Sequence, residues 1–249
     1  MKNVLIIISL ILSLQAQEIY TTFKVKAYES ADLAFDASGI INKVHVEISK
    51  KVKKGEVLAE LNNEDVKASL AIAAAQVSNA EVTLAFAQRD YDRQSKVKHL
   101  IDEARFDVYV LALEKAKAGL SQAKAQHAYQ QALLNKTKLR APFDGVIFYK
   151  AVEVGDVVNG MMLRTVFKVQ SNHKRKLIVS FDQKYWKQVE LGQKYLYKVD
   201  GDTRLYEGRI SKIHPSTNTE NRKIQVEVKA SDFVVGLIGD GHIIINEKE

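Results

Sequence analysis

The sequence predicts an elongated α+β fold in which a long helical hairpin interrupts a small β-domain and further antiparallel strands follow. Two glycine-punctuated segments of alternating apolar and polar residues, 37–61 and 140–160, match each other at an offset of 106 residues. The stretch between them has the heptad spacing of a coiled coil. After residue 169 the apolar pattern has a period of two, which is typical of strands.

The two matching segments are predicted to be the two halves of one β-domain rather than an internal repeat. At the offset of 106 residues, Ser49 corresponds to Gly155. A slip of one residue then places Gly55 opposite Gly160. Glycines in such segments indicate tight turns between short strands.

The insertion carries two apolar seams with alternating steps of three and four residues. The first seam consists of Val66, Leu70, Ala73, Val77, Ala80, Leu84, Ala87 and Tyr91. The second consists of Phe106, Tyr109, Leu113, Ala116, Leu120, Ala123, His127, Gln130 and Leu134. Asn63 and Asp102 are the predicted N-caps, and Pro142 follows the end of the second helix. We therefore expect an antiparallel coiled-coil α-hairpin at residues 63–137, with arms about 50 Å long.

The pattern after residue 169 predicts antiparallel strands. They are expected near residues 177–181, 195–199, 205–213 and 223–229, with a further strand at 23–27. Asp182 is expected to cap a short helix that reaches Val189. The last stretch is expected to form a hairpin about Asp240 and Gly241.

The N-terminus has the features of a secretory signal at residues 1–16: Lys2, an apolar run at 4–14, and Ala16. The run is too short to span a bilayer, although an uncleaved short anchor is the alternative. No second stretch is expected to reach spanning length, so we expect an exported, soluble chain. The absence of cysteine excludes disulfides, thiolate metal sites and an N-terminal lipid anchor. The net charge of +7 is spread along the chain, which favours solubility over nucleic-acid binding.

Nothing in the sequence indicates an enzyme. The six histidines show no metal-ligand spacing, and no phosphate-binding glycine loop or nucleophile motif is present. His127 lies on the helical seam and is interpreted as a partly buried helix residue. The pair Met161 and Met162 is interpreted as packing rather than as a soft-metal site. We therefore expect no catalytic residues, no cofactor and no metal.

The two half-motifs carry specific runs of residues. The first contains Val52-Lys53-Lys54-Gly55, and the second begins with Arg140-Ala141-Pro142-Phe143-Asp144-Gly145. Both runs resemble the split biotinyl/lipoyl-like domain of periplasmic adaptor proteins (membrane fusion proteins, the HlyD-like family) of tripartite efflux pumps. A lipoyl carrier presents its lysine on the turn between the halves. Here the hairpin replaces that turn, so a swinging-arm enzyme is excluded.

The resemblance implies a division of the chain into domains. A split lipoyl-like domain would occupy residues 37–62 and 138–170, around the hairpin. An antiparallel β-barrel domain would occupy residues 17–36 and 171–230. Residues 231–249 would be a reduced remnant of the membrane-proximal domain.

The resemblance also implies a function. Such an adaptor bridges an inner-membrane transporter to a TolC-like outer-membrane channel and forms a homo-oligomer, a hexamer in the family, that encloses a sealed conduit for small toxic compounds. An RND-type transporter is favoured, and an adaptor of an ABC-type exporter or type I secretion system is the alternative. The chain would lie in the periplasm, associated with the inner membrane through the pump.

Family members carry docking residues near the hairpin tip. Arg93 matches their arginine, Val97 stands at the position of their leucine, and Asp102 falls at the position of their serine if the turn is two residues shorter. With Leu100, these residues are the predicted docking tip for the outer-membrane channel. A guanidinium near a helix end can donate several hydrogen bonds to the terminal carbonyl groups of a partner helix.

Overall fold

The computed structural model describes residues 17–162, 164–218 and 220–245, so the predicted signal segment lies outside the described residues. Two long helices are present, α1 (Glu64–Ser95) and α2 (Glu103–Lys136). The strands are β1 (Gln17–Ala27), β2 (Ser30–Leu33), β3 (Gly39–Val44), β4 (Lys51–Val52), β5 (Val57–Leu61), β6 (Lys138–Arg140), β7 (Gly145–Lys150), β8 (Val157–Val158), β9 (Phe167–Ser171), β10 (Lys174–Asp182), β11 (Lys194–Val199), β12 (Tyr206–Asn218), β13 (Lys223–Ser231) and β14 (Ile238–Ile245). The chain divides into two compact units, one at residues 31–169 and one built from the segments on either side.

The unit built from the flanking segments is a closed barrel of six strands. The order around the barrel is β1-β10-β13-β12-β11-β14, and β14 returns to β1. The barrel interior contains the aromatic rings of Phe23, Phe181, Tyr195 and Tyr197. The Phe23 ring is in edge contact with those of Tyr195 and Tyr197 at centroid distances of 6.2 and 5.4 Å. Burial raises the pKa of the Tyr195 phenol, whose oxygen lies 3.0 Å from the Thr21 hydroxyl. Large buried rings fill the closed interior and account for its stability.

The end of the described chain corrects two expectations. Residues 238–245 form one continuous strand, β14, which pairs with β1 and β11 and closes the barrel. This stretch is therefore part of the barrel and not a membrane-proximal remnant, and Asp240 and Gly241 do not form a turn. Gly241 serves close packing, because a Cβ there would lie 2.7 Å from the Tyr195 ring and 2.5 Å from the Leu196 carbonyl oxygen. The glycine was mistaken for a turn signal because its ring neighbour is distant in sequence.

The predicted strands after residue 169 coincide with β10, β11, β12 and β13, except that β12 begins at Tyr206 and continues to Asn218. The short helix expected after Asp182 is only a 3₁₀ turn, Gln183–Tyr185. The Asp182 carboxylate accepts a hydrogen bond from the Lys184 N–H at 2.9 Å, so the cap is present although the helix does not continue.

The unit at residues 31–169 contains two four-stranded sheets, β2-β9-β7-β4 and β6-β5-β3-β8. The two half-motifs that match at the 106-residue offset exchange strands between these sheets. In one sheet, β4 of the first half-motif pairs with β7 of the second, with Lys51 opposite Val146. In the other, β8 of the second half-motif pairs with β3 of the first, with Val157 opposite Ile40. Each half therefore supplies the edge strand of the other half's sheet, and neither sheet is complete without both halves.

The hydrogen bonds between the halves also repeat at this offset. The Ser49 N–H donates to the Ile147 carbonyl at 2.7 Å, and the equivalent Gly155 N–H donates to the Ile41 carbonyl at 2.9 Å. Both donors have positive φ, 73° at Ser49 and 97° at Gly155, as the third residue of a type II turn requires. Ile41 and Ile147 are 1% and 0% exposed, so equivalent residues from both halves form the core between the sheets.

Hydrogen bonds from backbone N–H groups of one half to side chains of the other also repeat at the offset of 106 residues. The Lys54 N–H donates to the Asp144 carboxylate at 2.7 Å, and the Gly160 N–H donates to the Ser38 hydroxyl at 3.0 Å. Lys54 corresponds to Gly160, and Asp144 to Ser38, at an offset of 106. The slip that paired Gly55 with Gly160 is therefore wrong, because the backbone keeps the offset through both turns.

One residue breaks the symmetry of the two halves. The Lys150 ammonium lies 2.7 Å from the Glu47 carboxylate and 2.9 Å from the Glu153 carboxylate. Glu47 and Glu153 are themselves equivalent at the offset of 106. The hydrogen bonds that the ammonium donates to both carboxylates raise the pKa of Lys150, so a single lysine joins the two equivalent turns.

Candidate functional site

The hairpin emerges from the sandwich at a fixed base. The buried Asn63 side-chain amide donates to the Thr137 hydroxyl at 3.0 Å, and the Leu61 N–H donates to the Thr137 carbonyl at 2.9 Å. Asn63 occupies the N-cap position of α1 without capping it, which corrects the sequence prediction. Asn62 provides the local bond instead, because its side-chain oxygen accepts from the Glu64 N–H at 3.3 Å. The two arms are therefore joined where they leave the β-sheets.

The two helices pack antiparallel along the predicted seams. Every predicted seam residue is buried or half-buried, with Ala73, Phe106, Leu113 and Ala116 fully buried. His127 is one of the half-buried seam residues. Near the tip, the rings of Tyr91 and Phe106 meet at 5.6 Å, and the Lys98 ammonium lies 4.8 Å from the Phe106 ring centroid. These aromatic contacts close the seam before the chain turns.

α1 is the one helix among the described residues that is long and apolar enough to cross a membrane. The expectation that no second stretch is long and apolar enough to span a membrane is therefore wrong, because α1 meets both criteria. Length and composition are weak evidence, because α1 packs along α2, which carries Glu114, Lys115 and Lys117 in its middle. Inserting such charges into a bilayer core costs about 3 kcal/mol each, so the helix pair suits water better than lipid.

The tip is a short connection between α1 and α2. A 3₁₀ turn, Lys98–Leu100, bridges the helices, and the Leu100 N–H donates to the Val97 carbonyl at 2.8 Å. Val97 is 37% exposed and Leu100 is 73% exposed. An apolar side chain as exposed as Leu100 at the end of a rod is available for contact with a partner.

Arg93 lies in the last turn of α1, and its guanidinium forms an ion pair with Asp90 one turn earlier. The Arg93 side chain is 72% exposed. An exposed pair of this kind contributes less than about 1 kcal/mol, so a partner's carbonyl groups can replace Asp90 at little cost.

Asp102 stands at the N-cap position of α2, but within the described chain its carboxylate makes no capping bond, contrary to the prediction. Its backbone carbonyl accepts from the N–H groups of Arg105 and Phe106, each at 3.1 Å. The exposed carboxylate is left beside the unpaired N–H end of the helix, where it is electrostatically favourable and open to a partner.

The four predicted docking residues thus lie in the last turn of α1 and the connection that follows it. Lys96, Lys98 and His99 are also exposed at the tip, and the family resemblance assigns them no role. Their exposure is predictable from the sequence, because a basic run between two predicted helices is expected to face solvent. Among the residues that the structure describes, no group of three or more acidic or histidine side chains is arranged to hold a metal ion.

A groove of about 880 Å³ lies along one side of the hairpin. Small residues from both helices line it, including Ala80, Ala112 and Gly119. Large apolar side chains on the hairpin surface, such as Phe86 and Val108, are 58% and 62% exposed. Small residues allow another helix to approach closely, and exposed apolar residues favour its burial.

Residues 29–170 match the model of a protein family described as the CzcB-like barrel-sandwich hybrid domain. This segment contains the sandwich and the hairpin and is more than half of the 249-residue chain. The chain belongs to this family. The resemblance to periplasmic adaptors of tripartite efflux pumps, stated from the sequence, is thereby confirmed.

One curated relative of this chain is the multidrug resistance protein MdtA of Proteus mirabilis. The two are 29% identical over 138 residues, which are 55% of this chain and 34% of the relative. The chain spans a third to a half of the length of the first curated relatives it matches.

Two solved structures share the fold. The membrane fusion protein Spr0693 of Streptococcus pneumoniae has a TM-score of 0.71 at 14% identity, covering 92% of this chain and all of that one. A MacA–MexA chimera with the α-hairpin domain of Pseudomonas aeruginosa MexA has a TM-score of 0.69 at 21% identity, covering 93% of this chain and 83% of the chimera. These structures confirm the predicted α+β class with an inserted hairpin and a barrel. Adaptors of this family are not enzymes, in agreement with the sequence prediction.

Proposed function

We propose that the chain is a periplasmic adaptor that bridges an inner-membrane efflux transporter to an outer-membrane channel. The observation that supports this function best is the hairpin itself. Its arms of 32 and 34 residues extend about 50 Å from a base fixed by Asn63 and Thr137, and they end in an exposed tip. A rod with a rigid base and an apolar, charged end suits contact with a distant partner.

The tip offers the chemistry that a helical channel would need. Arg93 can donate to the terminal carbonyl groups of a channel helix, and Leu100 can enter an apolar recess between helices. Asp102 is placed to accept hydrogen bonds from backbone N–H groups. The relatives are multidrug resistance and multidrug export proteins, which favours small toxic compounds as the exported class.

The groove on the side of the hairpin supports assembly into a homo-oligomer. Neighbouring hairpins packed side by side would cover the small-residue groove and the exposed apolar side chains Phe86 and Val108. A closed ring of such copies would form a conduit, with a hexamer as the family's number. We place this assembly in the periplasm, associated with the inner membrane through the transporter.

The transporter is proposed to be of the RND type, which is the class that the family resemblance favours. An adaptor of an ABC-type exporter is the second candidate, since both pump classes use the same domain plan. Crosslinking in cells followed by mass spectrometry separates the two, because it identifies the inner-membrane protein joined to the barrel unit. Recovery of neither an inner-membrane transporter nor an outer-membrane channel would overturn the proposal.

The docking role of the tip is tested with Arg93→Glu. We expect capture of the channel to weaken by about 30-fold and drug resistance to be lost, because a contact residue of this kind contributes about 2 kcal/mol. Circular dichroism and thermal unfolding should match the unmodified protein, since Arg93 is exposed.

The matched control for this experiment is Arg89→Glu, one turn further from the tip. The Arg89 guanidinium lies 4.7 Å from the Phe86 ring centroid and contributes the same charge. This variant should retain channel capture. Unchanged drug sensitivity and channel co-purification in Arg93→Glu would contradict the docking role.

A further inference from the structure

The barrel presents the only tryptophan of the chain on its surface. Trp186 is 62% exposed and lies in the run Lys184-Tyr185-Trp186-Lys187, after β10. Two hydrogen bonds hold this turn: Asp182 accepts from the Lys184 N–H, and the Trp186 N–H donates to the Gln183 carbonyl at 3.0 Å. Tyr185 packs against the barrel core. The ordered turn therefore holds the indole in solvent.

A lysine ammonium lies near each aromatic ring of this turn. The Lys187 ammonium lies 5.4 Å from the Trp186 ring centroid, and the Lys184 ammonium lies 4.8 Å from the Tyr185 ring centroid. The Gln183 N–H donates to the Arg222 carbonyl at 3.1 Å, which brings the start of β13 alongside. Residues 182–187 and 212–223 together contain five lysines and arginines and two acidic residues, which gives them a net charge of +3.

A cleft of about 680 Å³ opens beside the turn. Ile213, Pro215 and Ile224 contribute apolar surface to it, with Trp186 and Lys184 on its margin. β12 is irregular at this point, because its register with β13 shifts between Ile213 and Thr217. The patch thus combines an exposed aromatic ring, an apolar recess and surrounding positive charge.

We propose that this patch, residues 184–187 with the adjoining cleft, binds the surface of an anionic phospholipid bilayer. Tryptophan prefers the boundary between headgroups and acyl chains, where its ring is half apolar and its N–H remains wet. Lysines beside it can extend their ammonium groups to lipid phosphates while their stems stay on apolar surface. The contact is additional to transporter and channel docking and gives the barrel its own attachment to a membrane.

The tryptophan itself is the probe for a direct test. Protein purified from the cell envelope, in the form in which the cell leaves it, is mixed with phosphatidylcholine vesicles with or without phosphatidylglycerol. With anionic vesicles we expect the Trp186 emission to shift to shorter wavelength, and brominated lipids should quench it. Because the attraction is electrostatic, both effects should decrease as salt is raised.

Substitutions locate the binding surface. Lys184→Ala with Lys187→Ala should weaken vesicle binding about 30-fold, since each lysine near an anionic surface contributes a factor of about five. The matched control, Lys53→Ala with Lys54→Ala, removes the same charge from the densest basic run of the other unit. It should leave binding unchanged.

Four results of the vesicle experiments would overturn the proposal, and so would one result in cells. They are an emission spectrum unaffected by anionic vesicles, equal affinity for neutral vesicles, loss of binding in the Lys53 and Lys54 variant only, and binding insensitive to salt and to the Lys184 and Lys187 changes. The last result would indicate attachment through the apolar N-terminal run. If Trp186→Ala removes crosslinks to a protein in cells but keeps vesicle binding, the patch is a protein interface and the lipid proposal is wrong.

Discussion

The two half-motifs of the sandwich adopt equivalent backbone structures with different side chains. Ser49 and Gly155 occupy the same turn position, and Asp144 and Ser38 cap equivalent N–H groups. Gly39 and Gly145 are equivalent, but other glycines are not: Gly160 corresponds to Lys54, and Gly55 corresponds to Met161. The hydrogen bonds between the halves thus define the symmetry, whereas Gly55 and Gly160 each meet a local requirement of one half only.

The largest expected difference between the halves is at Gly160 and Gly55. A Cβ at position 160 would lie 2.5 Å from the Asp36 carbonyl oxygen, and this backbone atom has little freedom to move. At Gly55 no described heavy atom lies within 4 Å of that point, although φ is +83°. Gly160→Ala should therefore destabilise the unit by about 3 kcal/mol, and Gly55→Ala by about 1 kcal/mol.

Thermal unfolding followed by circular dichroism measures this difference, and hydrogen exchange at residues 145–150 assigns it to the sandwich. Equal losses in the two variants would show that the clash at Gly160 is relieved by movement of the Asp36 segment.

The losses of stability on removing the two capping side chains, Asp144 and Ser38, should differ less. Asp144→Ala removes a carboxylate that accepts from the Lys54 N–H, and we expect a loss of about 1 kcal/mol. Ser38→Ala removes the weaker hydroxyl acceptor of Gly160, with a loss of about 0.5 kcal/mol. Urea unfolding provides the measurement, with Asp144→Asn as the control that keeps an acceptor and should recover most of the stability. A larger loss for Ser38→Ala would contradict the ranking.

The effects expected at the two equivalent turns are no larger than those at the caps, but they should have opposite signs. Ser49→Gly relieves a positive φ that a side chain disfavours, but it also makes the unfolded chain more flexible. The net gain should be about 0.5 kcal/mol. Gly155→Ser introduces the same strain and should cost about 1 kcal/mol. A shift of the same sign in both variants, by differential scanning calorimetry, would show that the turns are not equivalent.

The sequence was most informative where structure depends on local periodicity. The helical seams were predicted residue by residue, because a helix that packs along one stripe must repeat its apolar residues every three or four positions. The 106-residue offset indicated that the two half-motifs form one domain, and the equivalent turn residues Ser49 and Gly155 lie at that offset. These features follow from spacing along the chain alone.

Prediction failed where the deciding neighbour is distant in sequence. Gly241 was interpreted as a turn residue because the Tyr195 ring, 46 positions earlier, is not visible from its surroundings in the chain. Asn63 was interpreted as a cap, although its amide bonds Thr137 across the base of the hairpin. At the tip, the family resemblance implied the candidate docking residues, but the pairing of Arg93 with Asp90 and the uncapped Asp102 depend on geometry that the sequence does not determine.

The exchange of strands between the halves has a consequence for the order of folding. Until the second half-motif has been made, the first has no partner for β4 and an unpaired edge at β3. If residues 63–137 were a flexible loop, closing it would cost about 2 to 3 kcal/mol more in chain entropy than closing a tight turn does. α1 and α2 can pair progressively from the tip toward the base. This pairing would bring Asn63 and Thr137 together before the sheets form. The hairpin is thus expected to act as a folding template for the domain that it interrupts.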